Sequence, residues 1–211
     1  MTLKLKGSSD GSVSLSAPAD TSPSGTDVTL TLPTSDGDAN QILETNGSGA
    51  LSWTTPPVAG ISEFDMFYLD SDKTSSGDLT DWDRNDLNGA PTQIGTGMSV
   101  SSGVFTFPST GKWLVYGKIF YGLNNDVVGG GIFTSTDGGS NFSIVAALAE
   151  SSTTDASAGD STIAFVDVTN TANVKVKMTV DSVGGGCKAE GASGTPKRAR
   201  TLIAFVRLGA T

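Results

Sequence analysis

The stretch Gly103-Val-Phe105-Thr-Phe107-Pro108-Ser-Thr-Gly111-Lys-Trp113-Leu-Val115 decides how the chain folds. Two extended runs, 104–107 and 112–121, flank a break made by Pro108 and Gly111. Proline removes a ladder donor and glycine frees the backbone, so the pattern predicts strand, turn, strand. Working outward, further strands are predicted at 64–70, 92–94, 127–135, 142–149, 161–168, 173–180 and 201–208. Gly-rich or Ser/Thr-rich turns separate them, such as Asp137-Gly-Gly-Ser140 and Gly184-Gly-Gly186. No segment carries a clear 3.6-residue period. The single helical candidate, Ile144 to Glu150, reads equally well as a strand. The expectation is an all-β fold, a jelly-roll β-sandwich over residues 62–211.

Upstream the texture differs. Ser12-Val-Ser-Leu-Ser16 and Val28-Thr-Leu-Thr-Leu32 alternate with period two, and Asn46-Gly47 lies between two alternating runs in 41–53, a hairpin signal. These pieces hold too few aliphatic residues to offset the entropy of ordering them. Such a segment is stable only when it docks on something or intertwines with copies of itself. Thr54-Thr-Pro56-Pro57-Val-Ala-Gly60 reads as a linker. The predicted organisation is a β-rich attachment and trimerisation arm (1–55), a Pro-rich linker (56–61) and a jelly-roll head (62–211).

Composition excludes much chemistry. The chain has 211 residues, 36% hydrophobic and 17% charged, with 27 glycines. Thirteen Lys+Arg against 22 Asp+Glu give a net charge of −9, which argues against a nucleic-acid partner. There is no histidine, so His-dependent triads and imidazole metal sites are excluded. One cysteine, Cys187, leaves no intrachain disulfide. No apolar stretch follows Met1–Lys6, so neither a secretory signal nor membrane insertion is expected.

Charge is uneven along the chain. Glu63, Asp65, Asp70, Asp72, Asp78, Asp81, Asp83 and Asp86 face only Lys73 and Arg84 over 63–86. After residue 170 the sign reverses, with Lys175, Lys177, Lys188, Lys197, Arg198, Arg200 and Arg207 against Asp181 and Glu190. First and last strands of a jelly roll are neighbours, so this acidic entry and basic exit have two outcomes. They pair, within a subunit or between subunits, or they form a solvated face. Carboxylates in 65–86 offer candidates for glycoside hydrolysis, and Asp81-Trp-Asp-Arg-Asn-Asp86 faintly resembles a calcium loop. It lacks that loop's glycine and terminal glutamate, and an acidic turn in water is the favoured reading. Gly129-Gly-Gly131 and Gly184-Gly-Gly186 lack the context of phosphate loops and read as turns or sites of close backbone approach. No catalytic residue, metal site or cofactor is assigned.

Gly103-Val-Phe105-Thr-Phe-Pro108-Ser-Thr-Gly111-Lys-Trp113 resembles the strand–turn–strand of the globular heads of complement and tumour-necrosis-factor proteins, with Trp113 where those heads carry Tyr. Thr201-Leu-Ile-Ala-Phe205-Val-Arg-Leu-Gly209 is similar to their closing strand, and Ser161 to Val180 to their middle pair. A second likeness covers residues 3–53. Leu5-Lys-Gly-Ser, Val13-Ser-Leu-Ser-Ala-Pro18, Leu30-Thr-Leu-Pro33 and Gln41-Ile-Leu-Glu-Thr-Asn-Gly-Ser-Gly-Ala-Leu-Ser-Trp53 resemble the arm of structural proteins of tailed phages infecting marine bacteria, cyanophages especially.

The first resemblance implies a homotrimer with apolar aromatic strands at a threefold axis. Phe64, Phe67, Tyr68, Trp113, Tyr116, Phe120, Tyr121, Phe133, Phe165 and Phe205 supply more aromatic surface than one small sandwich needs. Of these, Phe64, Phe67, Trp113, Tyr116, Phe120 and Phe205 are expected at the subunit interface. The second resemblance implies a virion component, non-enzymatic and displayed on the virion surface after assembly in the host cytoplasm. Its arm would bind other virion proteins, tail or capsid, through Leu3, Leu5, Val13, Leu15, Leu30, Leu32 and Trp53. Host polysaccharide or receptor would be met by the loops 71–90, 122–127, 136–141 and 184–199. Asp81, Trp82, Arg84, Asn124, Asn125, Lys197 and Arg198 are the expected contacts there. Three roles remain open: a surface fibre or tip, a capsid decoration protein at local threefold positions, and a carbohydrate-binding or depolymerase module.

Overall fold

The computed structural model describes residues 2–6, 12–16, 18–19, 21–22, 24–56, 60–84, 93–124, 127–151, 155–181, 186–193 and 198–211. They fall into two compact units that divide between residues 58 and 59. Among the described residues every regular element is a strand.

The first unit is two hairpins. β1 (Thr2–Lys6) pairs antiparallel with β2 (Ser12–Ser16), setting Leu3 opposite Leu15 and Leu5 opposite Val13. β3 (Ile42–Thr45) pairs with β4 (Leu51–Thr54). The Asn46 carboxamide closes this second turn, its Oδ1 accepting from the N–H groups of Ser48 at 2.9 Å and Ala50 at 3.2 Å. So the Asn-Gly signal does mark a hairpin, with a longer loop than two residues. The expected strand 28–32 is reduced to one parallel bridge. Thr31 N–H donates to Gly49 O and Thr31 O accepts from Leu51 N–H, each at 2.8 Å.

The head begins with β5 (Phe64–Leu69), β6 (Gly77–Asp78), β7 (Trp82–Asp83) and β8 (Gln93–Ile94). β9 (Ser99–Ser101) and β10 (Val104–Thr106) follow, then β11 (Gly111–Asn124), β12 (Val127–Ser135) and β13 (Ser143–Ser151). β14 (Asp155–Val168), β15 (Lys175–Asp181), β16 (Lys188–Ala189) and β17 (Leu202–Gly209) complete it. Sheet I runs β13-β12-β15-β10-β9, with β6 also on β15. Sheet II runs β14-β11-β17-β5-β7, with β16 on β11 and β8 on β5. The first long strand, β5, lies beside the last, β17.

The motif that decided the fold is the crossing between the sheets. Ser102 and Gly103 both have positive φ, 50° and 81°, and make the tight turn from β9 to β10. Phe105 and Phe107 then point inward from sheet I, and after Pro108–Thr110 the chain enters sheet II with Trp113 and Val115 pointing inward. Phe105 packs on Phe67 and Phe205, each with centroids 5.0 Å apart, and Phe107 on Trp113 at 5.2 Å. β15 shows the period-two rule plainly, with Val176, Met178 and Val180 buried between half-exposed Lys175, Lys177 and Thr179.

This packing corrects three interface expectations. Phe67, Trp113 and Phe205 are 3%, 1% and 0% exposed, so their surface is already spent on the core of one chain. Strand parity places them on the inner face. The Gly129–Gly131 run is not a turn but the middle of β12. A side chain at Gly130 would put its Cβ 2.5 Å from Thr179 O and 2.9 Å from the Ile119 side chain, so glycine is demanded by close packing. Ile144–Glu150 lies wholly in strand β13.

Phe105 joins three rings, counting Trp82 at 5.7 Å. Phe105→Ala is expected to lower folding stability by about 3–5 kcal/mol, read from urea unfolding; a loss below ~1 kcal/mol contradicts this core.

Candidate functional site

An antiparallel sheet normally keeps one face for the core and one for water. Sheet II does not. On β11 the outward residues include Leu114, Tyr116 and Phe120, on β14 Ile163 and Phe165, on β17 Ala204 and Val206, and on β5 Phe64 and Met66. Register brings them side by side. Leu114 lies opposite Phe165 on one flank and Val206 on the other, and Tyr116 opposite Ile163 and Ala204. Val206 in turn faces Phe64, and Ala204 faces Met66. Ile163 and Phe165 are 60% and 64% exposed. The result is a contiguous apolar face across four strands, bounded at one end by Lys112 and Asp167 and at the other by Lys118 and Ser161, which pair in register. β14 is also the last strand of its sheet, leaving a 14-residue edge without a strand partner among the described residues.

Of the six aromatic residues expected at an interface, the structure gathers Phe64, Tyr116 and Phe120 on this outer surface. Ile163 was missed because it is not aromatic, although its parity with Phe165 marks it as sharing that face. Phe120 sits at the margin, with the Lys118 ammonium 5.9 Å and the Arg200 guanidinium 5.5 Å from its ring centroid.

The expected host-contact residues scatter. Asp81 and Arg198 are exposed. Trp82 is turned inward, its indole N–H donating to Leu79 O at 2.7 Å and its ring against Phe105. Arg84 is turned inward as well, 2.8 Å from the Asp65 carboxylate and 4.5 Å above the Phe67 ring. Both serve the core, because β7 is hydrogen-bonded to β5 and follows its edge. Asn124 ends β11. Asn125 and Lys197 lie outside the described residues. In the arm, Leu30 and Leu32 are 59% and 70% exposed, while Trp53 is half-buried with its indole N–H on Ser35 O at 2.8 Å. Leu3, Leu5, Val13 and Leu15 are placed only by the β1–β2 register.

Among the described residues, the carboxylates of 63–83 do not converge on a cleft. Asp65 is fully buried and accepts from Met98 N–H at 2.6 Å as well as from Arg84; burial pushes its carboxyl up, opposed by these two partners. Asp83 accepts from the Tyr68 hydroxyl at 3.1 Å. Asp72 and Asp78 reach the basic half of the chain, bonding Lys188 at 2.6 Å and Lys177 at 2.9 Å. The acidic entry and basic exit therefore pair inside one subunit. Among the described residues no three carboxylate or thiol groups come together as a metal site would require.

No protein-family model matches the sequence, and no curated protein matches it. Solved structures do match the fold. Eiger TNF from S. frugiperda superposes with a TM-score of 0.52 at 14% identity, over 71% of this chain and 95% of that one. Murine APRIL at pH 5.0 gives 0.51 at 12% identity, over 69% of this chain and 98% of that one. At such identities the likeness establishes a jelly-roll sandwich of the tumour-necrosis-factor type.

The Asp72 clamp gives a pH test. Partial burial works against ionisation, but Lys188, Gly191 N–H and Arg200 outweigh it and hold the carboxyl below its usual value. Its stabilisation is present above the unfolded carboxylate pKa of about 4 and lost as pH falls through the lower folded value. Wild type is expected to exceed Asp72→Asn in urea midpoint at neutral pH, with the gap closing in acid. A gap independent of pH contradicts the clamp.

Proposed function

We propose that this protein is a non-enzymatic virion structural protein of a tailed phage, its head a homotrimer and its arm (1–55) the attachment segment. The apolar outer face of sheet II carries the trimeric part of this reading. A face uniting Leu114, Tyr116, Ile163, Phe165, Val206 and Phe64 across four strands has the apolar character of a protein interface, and water is a poor partner for it. The likeness of residues 3–53 to phage structural proteins supports the virion setting and the virion-surface location. A surface fibre or tip that meets the host envelope through head loops is the favoured role. Of the expected contacts whose exposure is described, Asp81 and Arg198 are exposed.

Capsid decoration at local threefold positions is the second reading, which the same trimeric head would serve. A carbohydrate-binding or depolymerase module is the third; the engagement of the described head carboxylates in structural pairs weighs against its hydrolytic form.

Light scattering of the purified chain at micromolar concentration is expected to give three times the subunit mass. The double substitution Ile163→Asp/Phe165→Asp is expected to give monomers with an unchanged β-type circular dichroism spectrum. A monomeric wild type, or a variant still trimeric through its head, overturns the interface. Copy number per virion separates the roles: hundreds mean shell decoration, a few dozen or fewer mean tail.

A further inference from the structure

The arm holds an open cavity of about 550 Å³ between the loop 33–41 and strand β4. That volume falls within the span of small-molecule sites, about 300–1,000 Å³. Pro33, Leu51 and Trp53 supply its apolar wall, and Asp36, Asp38 and Gln41 stand among its polar lining. The loop is fixed against the strand at several points. The Trp53 indole N–H donates to Ser35 O at 2.8 Å. Gly37 approaches the indole so closely that a Cβ there would stand 2.6 Å from its Cδ2 atom. Asp38 N–H donates to Gln41 Oε1 at 2.8 Å, and Gln41 N–H donates back to Asp38 O at 3.2 Å. These contacts engage Asp38 through its backbone. Among the described residues the carboxylates of Asp36 and Asp38 take no hydrogen bond or ion pair from the chain.

The wall selects its ligand. Two carboxylates only accept hydrogen bonds, while Gln41, its oxygen already engaged, has its NH2 group left to donate. Trp53 has spent its N–H and offers ring surface alone. No Lys or Arg lines the cavity, and none occurs between Lys6 and Lys73, so an anion meets only like charge. A metal ion finds two carboxylates and no third. An apolar ligand would strip water from both carboxylates without replacing its hydrogen bonds. A neutral ring that carries hydroxyls along its edge and C–H groups on its face satisfies every part of the wall. We infer that this cavity binds a neutral saccharide, its hydroxyls donating to Asp36 and Asp38 and accepting from Gln41, its C–H face against Trp53 and Leu51. The inference rests on the carbohydrate-binding form of the third reading and places the sugar in the arm instead of the head. Trp53 then meets a saccharide rather than another virion protein.

The test follows indole N–H signals of the full chain by nuclear magnetic resonance. Trp53, Trp82 and Trp113 are its three tryptophans, and the last two pack in the head core. The Trp53 signal, identified with Trp53→Phe, therefore reports the arm alone. Titration with glucose, galactose, mannose, N-acetylglucosamine and maltose is expected to shift it saturably for at least one sugar, with a dissociation constant in the millimolar range. Glucuronate is expected to bind at least tenfold more weakly, and equal binding overturns the charge argument. Asp36→Asn/Asp38→Asn is expected to weaken the same sugar at least tenfold while the Trp53 signal of the free variant stays in place. Undiminished binding in that variant overturns the inference. A Trp53 signal unmoved by every sugar overturns it as well: shifts confined to head signals leave the carbohydrate-binding reading standing, and no shift anywhere removes that reading too. A saturable shift with calcium chloride or putrescine but with no sugar overturns the saccharide in favour of a cation.

Discussion

Sheet II is apolar on both faces, and most of the head's architecture follows from that. Its inner face, with Trp113, Val115, Ile203 and Phe205, closes the core against sheet I. Its outer face repeats the same chemistry with Leu114, Tyr116, Ile163 and Val206. Neighbouring positions in one strand are therefore both greasy, so the sequence of β11 and β17 reads as a nearly continuous apolar run. A sheet of that kind belongs between two layers, and the described strands of the head supply only one of them.

The acidic and basic segments perform a local task. Asp72 on Lys188 and Asp78 on Lys177 tie the early loops to the late strands of the same head, and Arg84 accompanies a carboxylate that β5 carries into the core. Exposed ion pairs contribute little stability, but these fix where loops lie. The Asp65–Arg84 pair differs because it is sunk beside Phe67, where losing either partner strands a buried charge.

The long strands were legible because they obey period two between glycine-rich turns; 64–70, 127–135 and 201–208 differ from the observed elements by a residue or so. The short strands at Gly77–Asp78, Trp82–Asp83, Ser99–Ser101 and Lys188–Ala189 were not foreseen, since two or three residues hold no period and owe their pairing to a neighbour already in place. The apolar outer face was only half legible for a related reason. Aromatic character alone does not tell inside from outside, and Phe67 and Trp113 were assigned by type. Parity settles the matter: counted from Gly111, odd positions of β11 enter the core, which sends Trp113 in and Leu114 and Tyr116 out. Ile163 follows through its register with Tyr116, knowledge that requires the pairing itself.

The two units differ in what folding requires of them. Among the described residues the head has twelve large side chains less than 2% exposed, enough to specify a packed interior within one chain. The arm has none among its described residues, so its hydrogen bonds at Thr31, Asn46 and Trp53 form without desolvated surroundings to protect them. The core of each head sets which side chains line the outer face of sheet II, whereas the described arm residues gain no comparable interior from their own unit.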